Sequence, residues 1–562
     1  MRDVTEYAVR VSDALTLATS EGRTLDLVLL GVLAAVVVFL VAADRTRLPY
    51  PIILVVGGGL LGFLPGAPEV VLDPDLILVI FLPPLLYAAA FFSSLRDLRA
   101  NVRAISMLSI GLVGLTTLVV GVVAHTFVDG LSWAAAFTLG AVLSPTDPVA
   151  ATAIAGRTGA PRRFITVVEG ESLVNDATAL IAYRFGVAAV LTGSFSVVEA
   201  LGTFALSAVA GAAIGIAVGW LVARLRAAID DPPTEITISL VTPYFAYLPA
   251  EALGVSGVLA AVTTGIWLGW RSPRLITPST RMQAFAFWEV LVFTLNAALF
   301  VLVGLALPGV VEAAREGTTD LTLAGYGALI SLTVIAVRFA GVFLTTYLPR
   351  ILSARIRGRT PPEDIGHTFL VAFTGMRGAV SLAAALAIPQ TTDAGLPFPG
   401  RELIIFLVYV TILVTVVGQG LSLGPLLRYM NVQEDPGTRR LRESNARLRA
   451  ADAAIRRIDD LRSADWVRPE SADRLRRLYE FRVRRFSAHF DDEDDGDLER
   501  GSLAYLRLRQ EVLEAERGEI IRMRNAGIIN DEEMRRVERD LDLEHARLEG
   551  GGDGAPTSPA EA

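Results

Sequence analysis

Runs of about 20 apolar residues recur along the first 430 residues of the chain, and they limit the possible fold more than any other feature. A helix needs a run of this length to cross the hydrocarbon core of a bilayer. In lipid, backbone N–H and C=O groups must be satisfied within the structure, so such runs form helices. The apolar content of 52% and the mean hydropathy of +0.49 agree with this interpretation. The sequence therefore predicts an all-α polytopic membrane protein.

We predict thirteen membrane spans, and the short loops between them alternate in charge. The spans are about 24–43, 48–64, 75–93, 104–126, 132–156, 164–192, 198–223, 236–252, 255–270, 283–307, 321–348, 366–389 and 402–428. Arginines occupy every second loop, whereas the other loops are acidic or nearly uncharged. Because retained Arg marks the cytoplasmic side, residues 1–23 are predicted to lie outside and the C-terminal tail in the cytoplasm. Residues 1–23 show no signal-peptide pattern.

Two of these spans carry an acid within an otherwise apolar stretch, Asp147 in the fifth and Asp176 in the sixth. Ionisable groups at such depth cost several kcal/mol, and they typically mark ion pathways or proton relays. The chain contains neither Lys nor Cys, and Arg hardly ever deprotonates. Any proton carrier must therefore be Asp, Glu or His.

Two spans contain interruptions that a regular membrane helix does not tolerate. Pro145 and Pro148 flank Asp147 in the fifth span, and two glycines flank Arg377 in the twelfth. Because the fifth and twelfth spans are seven apart, equivalent helices in two repeats would run in opposite directions. This pattern favours an inverted repeat whose two broken helices cross near the midplane and whose freed carbonyls can hold an ion. The alternative is an ordinary proline kink and a glycine-mediated helix contact.

The sixth span supplies the geometry of a possible ion site. On a helix, Glu169, Ser172 and Asp176 share one face, while Glu171 and Asn175 share the neighbouring face. A small hard cation such as Na⁺ prefers several oxygen ligands, including one or two carboxylates. The predicted set comprises the carboxylates of Asp147 and Asp176, the hydroxyls of Thr146 and Ser172, and freed carbonyls of the broken helix. A buried carboxylate can hold a proton or a cation, and mutually exclusive occupancy produces exchange.

Four sequence motifs occur in order within residues 24–430. They are Phe81-Leu82-Pro83-Pro84-Leu85-Leu86-Tyr87, Thr146-Asp147-Pro148, Glu171-Ser172-Leu173-Val174-Asn175-Asp176 and Arg377-Gly378-Ala379-Val380-Ser381. Their combination resembles the bacterial sodium/proton antiporters of the monovalent cation:proton antiporter 1 family. The resemblance implies a thirteen-helix inverted-repeat fold in the plasma membrane, with a mobile core subdomain that carries the ion. It also implies a scaffold subdomain that forms a homodimer within the lipid.

The resemblance assigns a role to each polar residue of the predicted site. Asp176 would be the carboxylate that binds the cation and the proton, with Asp147, Thr146 and Ser172 as its neighbours. Asn175 would stand where other exchangers have a second acid. With one titrating carboxylate in that pair, the resemblance implies one-for-one, electroneutral exchange.

The family also pairs an acid with the Arg of the twelfth span. Carried onto this chain, the pair would be Glu171 with Arg377, and Glu169 is a competing partner that spacing does not exclude. Some relatives have an acid after the motif of the third span. This chain has Ala88 and Ala89 there, which argues against a carboxylate ligand from the third helix.

Other polar and glycine-rich features have ordinary structural interpretations. For the charged residues within predicted spans, structural pairing or snorkelling is favoured over gating; these are Arg184, Glu289 and Arg338. His125 and His367 are expected near solvent or at helix ends. The run Gly57-Gly58-Gly59 is interpreted as close helix packing and not as a phosphate loop, since no Lys-Ser/Thr follows it.

Beyond residue 430 the composition becomes highly charged. Residues 431–550 contain spaced apolar residues among Arg, Glu and Asp, which is typical of amphipathic helices facing solvent. We predict a cytoplasmic helical domain that regulates transport or reinforces the dimer, with a role in assembly alone as the alternative. Residues 551–562, rich in Gly, Pro and Ala, are predicted to be disordered.

The leading hypothesis is a secondary antiporter that exchanges Na⁺, or Li⁺ or K⁺, for H⁺. The alternatives are a K⁺/H⁺ antiporter and a transporter of organic anions with sodium on the same scaffold. No nucleophile set, metal-ligand cluster or nucleotide loop is evident in the sequence. An enzyme, an ATP-driven pump, a bound cofactor and a nucleic-acid partner are therefore not expected.

Overall fold

A computed structural model describes residues 31, 34–46, 48–65, 78–158, 160–193, 197–315, 318–352, 364–430, 436–487 and 495–549 of the chain. The predicted N-terminal segment 1–23 and the predicted tail 551–562 lie outside these residues. Contacts divide the chain into two compact units at Gln433/Glu434. The described residues form helices, apart from loops and an isolated bridge between Thr391 and Pro397.

The described part of the membrane unit contains seventeen helical segments, which we number in chain order. They are α1 (34–46), α2 (Tyr50–Gly62), α3 (Leu82–Phe92), α4 (Leu95–Ala100), α5 (Val102–Phe127), α6 (Trp133–Val142), α7 (Val149–Thr158), α8 (Arg162–Thr192), α9 (Val197–Arg226), α10 (Pro232–Ala252), α11 (Gly257–Leu275), α12 (Pro278–Leu305), α13 (Leu307–Ala314), α14 (Asp320–Leu352), α15 (Ile365–Phe373), α16 (Ala379–Leu386) and α17 (Arg401–Met430). Helices α5 and α17 each include a π-helical turn, Met107–Leu112 and Val414–Gln419.

Six helical stretches among the described residues are long and apolar enough to cross a membrane. They are Val102–Phe127, Arg162–Thr192, Gly202–Arg226, Pro278–Ala314, Asp320–Leu352 and Arg401–Met430. Shorter apolar helices add Tyr50–Gly62, Leu78–Phe92 and Trp133–Val142. The prediction of an all-helical membrane protein is thus confirmed, whereas the count of thirteen spans stays a prediction.

Polar side chains begin several of these helices by accepting a hydrogen bond from the first turn. The Ser132 hydroxyl accepts from the Ala135 N–H at 3.3 Å, and the Ser256 hydroxyl accepts from the Leu259 N–H at 3.2 Å. Such caps satisfy N–H groups that have no partner within the helix. Several of the apolar helices are therefore preceded by a capping side chain.

Glycines allow two pairs of helices to approach each other at the backbone. On α2, a Cβ built at Gly58 would lie 2.5 Å from the carbonyl oxygen of Val301 on α12. On α9, a Cβ at Gly215 would lie within 2.4 Å of the carbonyl oxygen of Ala260 on α11. Small residues at helix interfaces permit this close packing in membranes. The interpretation of the Gly57-Gly58-Gly59 run as a helix contact is confirmed.

One helix from each interruption, α6 and α16, shares an apolar cluster with α17. Leu139 of α6, Leu382 of α16 and Leu407 of α17 are at most 1% exposed within it. Arg338 of α14 and Arg377, between α15 and α16, are also almost completely buried. The broken helices therefore lie deep within the membrane unit.

The second unit contains four further helices among its described residues. They are α18 (Pro436–Leu461), α19 (Pro469–Ser487), α20 (Asp495–Asn525) and α21 (Asp531–Glu549). Helix α18 packs against α19 and α20 packs against α21. Ion pairs such as Arg462–Asp473, at 2.9 Å, join neighbouring helices of these pairs.

Candidate ion-binding site

The two broken helices meet at their interruptions. The first interruption separates α6, which ends at Val142, from α7, which begins at Val149. The second separates α15, which ends at Phe373, from α16. The backbone N–H of Asp147 donates to the carbonyl oxygen of Met376 at 2.8 Å. This hydrogen bond joins the two breaks directly, in agreement with the predicted contact.

Arg377 lies where two half-helices end. Its Nε donates to the carbonyl oxygen of Leu143 at 3.0 Å, just after α6, and its Nη1 donates to the carbonyl of Gly375, just after α15. Helix C-termini carry partial negative charge and carbonyls without helical partners. The guanidinium therefore compensates two C-terminal ends at the crossing.

Asp147 occupies the complementary position, where two half-helices begin. Its Oδ1 accepts from the backbone N–H of Val149 at 2.8 Å, at the start of α7. Gly378, the residue before α16, packs directly on the same carboxyl group, and a Cβ there would overlap its Oδ2. Because helix N-termini carry partial positive charge, Asp147 is stabilised by both ends. Glycine is needed at 378 for space.

Glu171 forms a buried ion pair with Arg338 of α14. Arg338 donates through Nη1 to Oε1 and, at 3.0 Å, through Nη2 to Oε2. Nη2 also donates to the carbonyl oxygen of Val371, at 3.0 Å. Both charged side chains are 1% exposed. The predicted pairing of Glu171 with Arg377 is therefore wrong, because the guanidinium of Arg377 binds the carbonyls of Leu143 and Gly375.

Thr146 connects the first break to α8 through three hydrogen bonds. Its hydroxyl accepts from Nδ2 of Asn175 at 2.8 Å and donates to Oε1 of Glu171 at 3.4 Å. Its carbonyl oxygen accepts from the Ser172 hydroxyl at 2.8 Å. The motif on α8 and the break before α7 thus form one hydrogen-bonded structure.

A cavity of about 830 Å³ opens beside this structure. Its lining includes four of the predicted ligands, namely Asp147, Asp176, Thr146 and Ser172. Since a water molecule occupies about 30 Å³ of liquid, the cavity is large enough for a hydrated cation. Asp176 is 5% exposed, and the described residues place no Arg within ion-pair distance of its carboxylate. No group of three or more His, Asp or Glu in the described chain is arranged as a metal cluster.

Comparison with known proteins identifies the family of this chain. Residues 31–429 match the family described as "Sodium/hydrogen exchanger, transmembrane". The chain belongs to this family. It is therefore a multi-pass membrane protein of a transporter family.

Individual relatives extend this assignment along the chain. An uncharacterised Na⁺/H⁺ exchanger of Mycobacterium tuberculosis is 38% identical over 529 residues, which cover 93% of this chain and 96% of the relative. The sodium, potassium, lithium and rubidium/H⁺ antiporter of Bacillus subtilis is 35% identical over 383 residues, covering 66% of this chain and 56% of that protein. The solved structure of the sodium proton antiporter MjNhaP1 from Methanocaldococcus jannaschii at pH 8 resembles this fold with a TM-score of 0.56. The match has 20% identity and covers 71% of this chain and 97% of that one.

The remaining sequence-predicted residues of this exchanger lie in distinct places. Asn175 does not line the cavity and instead donates a hydrogen bond to the Thr146 hydroxyl. Glu169 lines the cavity and is partly exposed, so it faces away from the buried pair of Glu171. Arg184 of α8 pairs with Glu251 of α10.

Sequence reasoning missed or left unassigned three cavity residues. For Glu289 the sequence favours pairing or snorkelling over gating, whereas the residue lines the cavity and is exposed. Asn296, on the same helix α12, and Ser381 of α16 also line it. Ser381 belongs to the motif that begins at Arg377, but nothing in the sequence distinguishes a serine that faces a cavity from one that packs.

Proposed function

We propose that this exchanger moves Na⁺ and H⁺ in opposite directions through alternate occupancy of Asp176. One observation carries the proposal: the Asp176 carboxylate is buried against a cavity, together with Asp147, at the contact of two broken helices. A carboxylate in such surroundings is stable only when a proton or a cation neutralises it. Bound Na⁺ therefore excludes the proton, and a bound proton excludes Na⁺.

The neighbouring charges support this role for Asp176. Glu171 is balanced by Arg338, and Asp147 lies at two helix N-termini. The charge that the cargo must neutralise is therefore that of Asp176 alone. A single exchangeable charge corresponds to one Na⁺ for one H⁺, which is an electroneutral exchange.

The position of the cavity supports an inward-facing state. The lining comes from the end of α3 at Phe92, the first part of α8 at Glu169 and the first half of α12 at Phe285 and Glu289. These helix ends adjoin the Arg-rich loops, which the positive-inside rule assigns to the cytoplasm. In this proposal, N-terminal residues lie outside, the second unit lies in the cytoplasm, and the protein resides in the plasma membrane.

We propose that the opposite end of the site is closed in this state. Arg184 lies about 33 Å along α8 from Arg162, on the proposed outer side, where it pairs with Glu251 of α10. Its side chain is 47% exposed, so the pair contributes little to stability and can separate during transport. We propose that movement of the broken-helix core against a scaffold of α2, α3 and α9–α12 alternates access. The proposed architecture has thirteen spans in two inverted repeats and forms a homodimer in lipid.

Proteoliposomes with an internal pH dye test the function. External Na⁺ is expected to move protons without ATP, and an imposed membrane potential is expected to leave the rate unchanged. Asp176→Asn is expected to abolish the signal, because an amide binds neither the cation nor the proton in place of a carboxylate. The control Asp320→Asn alters a 71%-exposed carboxylate at the start of α14 and is expected to transport normally.

Two outcomes contradict the proposal. A proton signal that persists in the Asp176→Asn protein removes that residue as the carrier. If the wild-type protein responds to K⁺ but not to Na⁺ or Li⁺, the transported cation is K⁺ and not Na⁺. This outcome is worth testing because the Bacillus subtilis relative is named for four monovalent cations.

A further inference from the structure

Ser381 is a buried hydroxyl that the protein leaves without a partner. Its side chain lies in the first turn of α16 and is 1% exposed. Its Oγ has no hydrogen-bond partner among the described residues, although the residue lines the cavity that contains Asp176. An unsatisfied buried hydroxyl destabilises a folded protein, so its retention calls for a physical reason.

Hydroxyls on helices ordinarily satisfy themselves by bonding to the preceding turn. Ser109 donates to the carbonyl oxygen of Ile105 at 2.7 Å, and Thr415 donates to that of Thr411 at 2.8 Å. Ser381 does not make the equivalent bond, because the chain four residues earlier belongs to the break and not to a helix. The interruption therefore directs this hydroxyl away from the backbone.

The helix geometry places Ser381 beside the acids of the site. Gly378 is the N-cap of α16, and Ser381 is three residues later, so both lie on one face of the first turn. Gly378 packs on the Asp147 carboxyl group. Ser381 consequently lies at the wall of the cavity that Asp147 and Asp176 also line.

We propose that Ser381 Oγ is a direct ligand of the transported cation. The proposal rests on the proposed function and adds an oxygen donor from the second broken helix. The donors Thr146 and Ser172 lie on the opposite side of the crossing, in the first break and on α8. Helix α3 contributes Ala88 and Ala89 to the lining, so it provides no side-chain oxygen there. A hydroxyl from α16 completes the ligand shell that a hard monovalent cation requires.

The same position gives Ser381 a role in cation transport but not in proton transport. A serine hydroxyl does not titrate between pH 5 and 9. Removing Ser381 therefore weakens the binding of Na⁺ while the proton still binds the Asp176 carboxylate. A residue needed only for packing would instead impair both substrates together.

The test compares Ser381→Ala with wild type in proteoliposomes made from the full chain. The apparent KM for Na⁺ is expected to rise about tenfold, as for loss of one bond to a charged group, with the maximal rate within about twofold. The pH at which exchange is half-maximal, measured at saturating Na⁺, is expected to stay within about 0.3 pH units of the wild-type value, because the proton still binds the Asp176 carboxylate. Ser381→Thr keeps the hydroxyl and is expected to restore the KM.

Sodium binding is measured independently of transport. In detergent, Na⁺ is expected to raise the unfolding temperature of wild type by mass action, and Ser381→Ala is expected to need about tenfold more Na⁺ for the same shift. The matched control is Ser109→Ala, a fully buried serine outside the cavity, which is expected to leave both Na⁺ responses unchanged. This measurement remains informative if the threonine variant does not fold.

Three results overturn the inference. They are an unchanged KM for Na⁺ in Ser381→Ala, an equal loss of Na⁺ and proton responses, or an unchanged Na⁺ requirement for thermal stabilisation. If Asp176→Asn abolishes exchange while Ser381→Ala has no effect, the inference about Ser381 fails and the proposed function stands. If the Asp176→Asn protein still exchanges, the proposed role of Asp176 is wrong, and the inference about Ser381 loses its basis.

Discussion

The buried charges at the crossing differ in what balances them. Arg338 and Glu171 neutralise each other, and Arg377 is held by two backbone carbonyls. Asp147 receives an N–H at the start of α7. These arrangements hold four charged groups in place. Asp176 differs because no Arg among the described residues pairs with its carboxylate, and the proposed function assigns the neutralisation of its charge to the transported Na⁺ or proton.

At the residue scale, loss of one partner of the Glu171–Arg338 pair is expected to destabilise the protein strongly. Glu171→Gln leaves the Arg338 guanidinium buried without its carboxylate, which typically costs about 3–5 kcal/mol. Thermal unfolding of the purified protein in detergent measures the loss. The double variant Glu171→Gln with Arg338→Met is expected to recover most of it, because both buried charges are then absent.

A surface pair provides the matched control for this experiment. Glu443 lies one helical turn from Arg447 on α18, and the side chains are 46% and 34% exposed. Glu443→Gln is expected to change stability by less than about 1 kcal/mol. An equal loss in the Glu443 and Glu171 variants, or no recovery in the double variant, would contradict a structural role for the buried pair.

The sequence predicted the members of the site better than their partners. Membrane depth and helical spacing were enough to place Asp147 and Asp176 in one cavity with Thr146 and Ser172. The partner of Glu171 could not be found this way, because Arg338 comes from α14, which is 167 residues away along the chain. Spacing along one helix carries no information about which distant helix packs against it.

At the element scale, the architecture depends on where helices stop and where they touch. The interruptions of α6–α7 and α15–α16 expose backbone ends at the site, while unbroken helices such as α8 and α14 carry the charged partners. Glycines set how closely α2 approaches α12 and α9 approaches α11. Glycines therefore do two tasks here: they flank the second interruption in the core, and elsewhere they let helices pack closely.

Gly58 provides a direct test of the α2–α12 contact. In Gly58→Ala, the new Cβ would lie 2.5 Å from the Val301 carbonyl oxygen, so two backbones must separate. Overpacking of this kind costs about 1–3 kcal/mol, and the unfolding temperature in detergent is expected to fall accordingly. Gly114→Ala is the matched control, since no heavy atom lies within 4 Å of its Cβ position on α5. Equal unfolding temperatures for the two variants would show that this contact does not limit stability.

The long helices and their two interruptions were largely predictable, and the π-helical turns were not. Long apolar runs correspond to α5, α8, α14 and α17, because burial in lipid requires that every backbone group be bonded within a helix. The π-helical turn at Met107–Leu112 has no sequence signal as strong as a proline, whereas the short α13 has Pro308 in its first turn.

At the scale of the whole molecule, composition and contacts divide the chain at nearly the same place. The sequence becomes charged after about residue 432, and contacts separate two units at Gln433/Glu434. The apolar unit coincides with the part matched by the exchanger family, residues 31–429. The count of thirteen spans, the inverted repeat and the placement of the second unit remain predictions, because they depend on a membrane and on the sidedness of the loops.

The sidedness of the whole molecule can be tested because the natural chain contains no cysteine. Single cysteines are introduced at exposed positions: Asp393 between α16 and α17, Ser279 at the start of α12, and Ser471 on α19. The Arg-rich loops predict that Asp393→Cys lies outside and that Ser279→Cys and Ser471→Cys lie in the cytoplasm. In intact cells, a membrane-impermeant maleimide is expected to label only Asp393→Cys, and permeabilised cells are expected to show labelling of all three. The reverse pattern would invert the orientation and make the cavity beside Asp176 face outward, because that cavity is lined by the same helix ends that join the Arg-rich loops.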